Sequence, residues 1–221
     1  MDHVGVTLPT AGESSGKQPH DTSQEQLRDI YHTTFLLRQK LVPDVVPAII
    51  HHAGLFSRHT YSTGKVDHAV NVAERTAPYT CLTTDPINSS ARTQTPFRKV
   101  LFAIQSRDQG WVSNRDGGSW TWFTAGVLSS QDAMTGETRD ADQGDSFLIR
   151  ERQIYRNDVA SKEFKTHIIE WTTDSENEDE RNWVSSLQRG DKIVVRAWAR
   201  FGGWQNKVKS VSVAVYSAAI V

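Results

Sequence analysis

Residues 106–123 read SRDQGWVSNRDGGSWTWF and hold two Arg-Asp pairs, three glycines and three of the chain's seven tryptophans. A flat indole beside a guanidinium is a surface on which a sugar ring or an aromatic ligand stacks, each contact contributing roughly 0.5–2 kcal/mol. Arg107 and Asp108 either offer charge-assisted donors and acceptors to hydroxyls or clasp a tight turn. A second glycine–tryptophan unit, Gly203-Trp204-Gln205-Asn206, stands near the C-terminus. Glycine lets the backbone turn tightly or approach a ligand closely, and sites on β scaffolds sit in such loops. Trp120 and Trp122 share one strand face, because side chains two apart do, and they line either the core or a binding surface. Trp198 likewise shares a face with Arg196 and Arg200. The candidate ligand-binding set is therefore Arg107, Asp108, Trp111, Trp120, Trp122, Trp204 and Asn206. It requires the loops 107–118 and 201–207 to lie at one end of the fold.

Other chemistry is poorly represented. His51 and His52 are adjacent, about 100° apart on a helix, and cannot simply share one ion. No His-Glu-x-x-His or Cys/His spacing appears, so no metal site is expected. A P-loop, a dinucleotide fingerprint and a Gly-x-Ser-x-Gly elbow are also missing, so no cofactor and no catalytic residue is assigned. Cys81, the single cysteine, stands beside Tyr79 and Leu82 and reads as a buried, inert thiol. Residues 174–180, DSENEDE, carry five acids. Without calcium-loop spacing they read as a solvated, mobile loop. Arg189-Gly190-Asp191 reads as a turn.

Composition narrows the partners. Across 221 residues the net charge is −1 and the pI about 6.7. So balanced a surface offers no overall attraction to nucleic acid or anionic lipid. The expected partners are a small molecule, a carbohydrate or a protein. The first residues lack the basic start and apolar run of a signal peptide, and no stretch reaches membrane-span length. A cytoplasmic protein is expected.

The elements that must position these residues follow from periodicity. Residues 1–22 are polar, Gly/Ser/Thr-rich and aperiodic, and read as a disordered tail. Leu27, Ile30, Tyr31, Thr34, Phe35 and Leu37 recur at helical spacing; Pro43 opens a second helix with Val45, Val46, Ile49 and Ile50 on its apolar side. A helical hairpin over 23–56, packed on the β domain, is predicted. From residue 60 to 221 runs rich in Val, Ile, Phe, Trp and Thr alternate with turn residues. Strands are expected at Lys99–Gln105, Ser119–Thr124, Phe147–Tyr155, Phe164–Trp171, Asp191–Arg200 and Val208–Tyr216. Ile193, Val195, Ala197 and Ala199 share one face; Val211, Val213 and Val215 share another. The fold class is mainly β: an antiparallel β-sandwich or jelly roll carrying the hairpin.

The blocks KVLFAIQSRDQGW, SWTWF and LQRGDKIVVRAWARFGGWQNKVKSVSVAVYS, with LVPDVVPAIIHHAGLF, resemble a widespread group of mostly uncharacterised fungal proteins over residues 25–217. That resemblance implies a galactose-binding-like β-sandwich and transfers no activity to any residue. Residues 41–56 also resemble one helix of an F-box, through Leu41, Pro43, Asp44, Val45, Ile49 and Ile50, with one extra residue before Pro43. The plainer reading of that segment is an amphipathic helix docked on the β domain.

Three functions follow in order. The first is a non-catalytic recognition domain binding a carbohydrate or peptide through the tryptophan loops. The second is a small β-rich biosynthetic enzyme of cyclase or isomerase type, working through an aromatic pocket. The third is an F-box-like interaction adaptor.

Overall fold

The computed structural model describes residues 22–63, 68–71, 78–91, 93–112, 117–130 and 148–218. The expected tail up to residue 21 lies outside the described residues, as does the second Arg-Asp pair, Arg115-Asp116. Helix α1 spans Thr22–Lys40, a 3-10 turn Pro43–Val45 follows, and α2 spans Val46–His52. Ile30 and Thr34, one helical turn apart, are buried, and α1 lies against the first strand. Val46 and Ile50 are buried on α2 in the same way, whereas Val45 and Ile49 are exposed.

Nine strands follow among the described residues: β1 Phe56–Ser62, β2 His68–Asn71, β3 Tyr79–Thr83, β4 Phe97–Arg107, β5 Thr121–Leu128, β6 Ile149–Arg156, β7 Lys165–Thr172, β8 Lys192–Ala199 and β9 Gln205–Ala218. One sheet runs β1-β9-β4-β7, with β2 on the first residues of β9; the other runs β3-β8-β5-β6. Every pairing is antiparallel. The protein is mainly β, two antiparallel sheets face to face. Their pairing is nested, β5 with β6, β4 with β7, β3 with β8 and β1 with β9, as if one long hairpin were folded over itself.

The alternation read from sequence sets the core. Val100, Phe102 and Ile104 of β4 and Val211, Val213 and Val215 of β9 face Phe123, Ala125 and Val127 of β5 and Ile193, Val195 and Ala197 of β8, all buried. All six expected strands form, displaced by a few residues at their ends. β1, β2 and β3 were not anticipated, because short strands with few β-branched residues give a weak period-2 signal.

The acidic run is a correction. It starts helix α3, Glu178–Ser185, rather than a mobile loop. Asn177 Oδ1 accepts from the backbone N–H of Asp179 (3.0 Å) and Glu180 (3.5 Å). Glu178, Asp179 and Glu180 occupy the first turn, where the helix dipole favours negative charge. The helix delivers Trp183, Val184 and, just past its end, Leu187 to the core, with Trp183 edge-on to Trp171 at 5.1 Å.

Candidate functional site

The ends of β4, β5, β6, β7, β8 and β9 meet at one end of the sandwich. Arg107 closes β4 opposite Lys207, and Thr121 opens β5 opposite Ala199. A buried polar network joins the two sheets here. Ser106 Oγ donates to Asn157 Oδ1 (2.7 Å), and Asn157 Nδ2 donates to Thr121 Oγ1 and to Asn206 Oδ1 (both 2.9 Å). Asn206 Nδ2 then donates to the carbonyls of Trp122 (3.0 Å) and Trp198 (3.1 Å). Both amides thus use their two N–H bonds inside the protein, the condition for holding such groups in a core. Asn206, fully buried, is thus part of the staple between the sheets.

Asp108 takes the second of its two expected roles and holds backbone. Its carboxylate is fully buried and accepts from the N–H of Gly110 (2.8 Å) and of Ala160 (2.5 Å), tying the loop after β4 to the loop after β6. Burial pushes its pKa up, while those backbone donors, that of Ser161 and the nearby Arg107 hold it back. Gly110 adopts φ +89°, and an added Cβ would stand 3.4 Å from Lys162 Cγ.

Gln109, not among the predicted site residues, connects the two Gly-Trp loops. Its Nε2 donates to the Trp111 carbonyl (2.6 Å), and its Oε1 accepts from Gln205 N (3.3 Å). The loops do meet. Trp111 is 65% exposed and Trp204 half-buried. Phe201, in the β8–β9 turn, takes φ +71°, is 54% exposed, and sets its ring edge-on to Trp120 at 4.8 Å. No local signal marks this, because nothing in Phe-Gly-Gly says that the phenylalanine rather than the first glycine takes the left-handed conformation. Arg107 stands with its Cζ 5.0 Å from the Phe164 ring centroid, and its Nε is buried without a hydrogen-bond partner.

Trp122 is half-buried between two fully buried neighbours, Thr121 and Phe123, so its ring stands on the outer face of the second sheet. It stacks on Trp198, with Arg156 over it at 5.9 Å. Trp198 Nε1 donates to Thr124 Oγ1 (2.8 Å), whose hydroxyl donates to Glu151 Oε1 (2.5 Å). Arg196 Nη1 lies 3.7 Å from Glu151 Oε2. Glu151 and Thr124 escaped the sequence reading because strand pairing, not spacing, brings them together. Core burial falls instead to Trp171 and Trp183.

Two cavities of about 390 and 410 Å³ lie at the opposite end, the first lined by Ile50, His51, Phe56 and Thr173, the second by Arg150, Ser185 and Asp191. Burial pushes the Cys81 thiol up to about 12. Among the described residues no group of three or more His, Cys, Asp or Glu is placed to hold a metal ion, and no helix is long and apolar enough to cross a membrane.

No family model and no curated protein matches the chain. Among solved structures it is similar to the VP2 subviral particle of infectious bursal disease virus, at 9% identity and a TM-score of 0.40, over 73% of this chain and 33% of that one. A mutant VP2 of the same virus, in derived T=1 particles, is similar at 9% identity and a TM-score of 0.35, over 73% of this chain and 36% of that one. The chain thus spans about a third of the length of the capsid proteins it matches. Likeness at that level carries no statement about chemistry.

Proposed function

We propose that the protein is a non-catalytic recognition domain that binds a carbohydrate through the tryptophan- and arginine-bearing loops at this end of the sandwich. The observation that carries the reading is the bond from Gln205 N to Gln109 Oε1, which makes one surface of the two Gly-Trp loops. Trp111 and Phe201 stand exposed on those loops. A left-handed backbone costs a bulky residue such as Phe201 about 1–3 kcal/mol, and strain of this kind gathers at ligand clamps. The Trp122–Trp198 stack, fixed by the Thr124–Glu151 relay, is an aromatic surface already ordered before a ligand arrives.

The nested strand order supports reading the sandwich as a jelly roll with β2 added at one edge. The galactose-binding-like assignment and kinship with the fungal group rest on the sequence blocks. For the adaptor reading, Val45 and Ile49 are exposed while Val46 and Ile50 are already buried.

A glycan array followed by calorimetry on the best ligand tests the proposal. Trp111→Ala and Phe201→Ala are each expected to weaken binding about tenfold or more, as loss of an aromatic anchor does. An array without a bound glycan, or both variants binding like the parent, overturns it; a peptide bound through the same two rings replaces the ligand class.

A further inference from the structure

The net charge of −1 conceals a local excess of cations on β4 and β9, at the end of the sandwich that carries the Gly-Trp loops. Arg107 and Lys207 are direct cross-strand partners on β4 and β9. Like charges set opposite each other on neighbouring strands destabilise a sheet. Between Gln105–Ser210 and Ser106–Val208 the register slips by one residue, leaving Lys209 as the extra residue of a β-bulge. Val208 and Val211 on either side are buried, so the bulge sets both Lys209 and Ser210 toward the outer face. Bulges of this kind re-aim side chains next to functional sites. Lys209 Nζ stands 5.6 Å from the Phe164 ring centroid and Arg107 Cζ 5.0 Å from the same centroid, so two cations flank one phenyl ring.

The neighbouring acids are otherwise engaged. Asp108 is buried and holds the backbone of two loops. Asp158 pairs with Lys165 at 2.6 Å. Among the described residues no carboxylate lies within ion-pair distance of Arg107, Lys207 or Lys209. Lys162, on the loop after β6 and packed over Gly110 of the Trp111 loop, adds a fourth cation.

We infer that the ligand of this end is an acidic polysaccharide, whose carboxylate or sulfate groups sit on Arg107, Lys207 and Lys209 while its sugar rings lie on the exposed aromatics. The inference rests on the carbohydrate reading above and names its ligand class. An anion bound between Arg107 and Lys207 turns a repulsive pair into a bridged one, which accounts for a sheet that keeps two cations face to face.

The test is binding of the full chain to heparin, polygalacturonate, neutral dextran and a single-stranded thymidine oligonucleotide, alongside thermal melts. Heparin or polygalacturonate is expected to bind about tenfold or more tighter than dextran, and to weaken about tenfold or more between about 50 and 500 mM salt, as few-cation contacts with a polyanion do. Lys207→Glu with Lys209→Glu is expected to abolish that preference while leaving the melting midpoint unchanged or raised, because a carboxylate in place of the Lys207 ammonium would face Arg107 as an ion pair. A merely structural role for these lysines predicts the reverse, a lowered midpoint. Dextran bound as tightly as heparin, with the double variant unaffected, overturns this inference and leaves the carbohydrate reading standing. No binding to any polysaccharide overturns both. Tighter binding of the oligonucleotide than of heparin overturns the assigned ligand class.

Discussion

Trp122 on β5 and Trp198 on β8 stand opposite each other with ring centroids 5.7 Å apart and planes 5° from parallel. The pair is anchored through Trp198. The Trp198 indole N–H is held by Thr124, which is held in turn by Glu151 across to β6. A ring so fixed loses little freedom when a ligand touches it, which is how an aromatic anchor gains affinity.

The stack itself is measurable. Trp122→Ala and Trp198→Ala, singly and together, are expected to show a coupling of about 0.5–1.5 kcal/mol in urea unfolding, the usual worth of an aromatic pair beyond its buried area. Additive effects of the two substitutions would show that the rings are neighbours without interaction.

Asn206→Ala removes the hub of the inter-sheet network. It leaves one Asn157 amide hydrogen without its acceptor and takes the second, side-chain donor from the carbonyls of Trp122 and Trp198, which face each other in the strand ladder. At about 1–3 kcal/mol for an unsatisfied buried group, the loss is expected to be about 2 kcal/mol by chemical denaturation. At temperatures where the variant is folded, its ligand affinity is expected to match the parent's, since Asn206 is fully buried.

Asn177→Ala deletes the cap of α3, whose acceptor serves the N–H groups of Asp179 and Glu180. The expected loss is about 1 kcal/mol. It should appear in global unfolding rather than as local fraying, because α3 carries Trp183 into the core. Thermal melts followed by tryptophan fluorescence check it.

His167 gives a pH dependence with a definite sign. Its ring lies on Tyr155 at 3.9 Å and 22°, and burial lowers its pKa from 6.5, with Lys165 adding to the effect and Asp158 opposing it. The unfolded chain therefore takes up this proton at higher pH than the folded one. The contribution to stability is complete above about pH 6.5 and is lost as pH falls toward the folded value. His167→Phe keeps a stacked ring without the titration. Urea midpoints from about pH 7.5 down to about pH 5 should fall less steeply in the variant than in the parent; parallel slopes would contradict the assignment.

The sequence by itself determined which residues are inside. Period-2 alternation in Ile193–Ala199 and Val211–Val215 names two buried faces, because a strand turns successive side chains to opposite sides whatever its neighbours. Helical spacing marked Ile30, Thr34, Val46 and Ile50, which are buried, together with Tyr31, Phe35, Val45 and Ile49, which stand exposed, and the Gly-Trp units marked two loops. What only the tertiary structure decided is the meaning of residues whose partners are remote in the chain. Asp108 and Asn206 have the composition of ligand contacts, yet pairing across 52 and 49 residues makes them struts. Arg107 and Lys207 are two ordinary cations in a chain of balanced charge until β4 and β9 set them side by side. Hydrophobic period is a local property and survives in one dimension, whereas charge and hydrogen bonding act through space, so their sign and satisfaction exist only once the sheets are assembled.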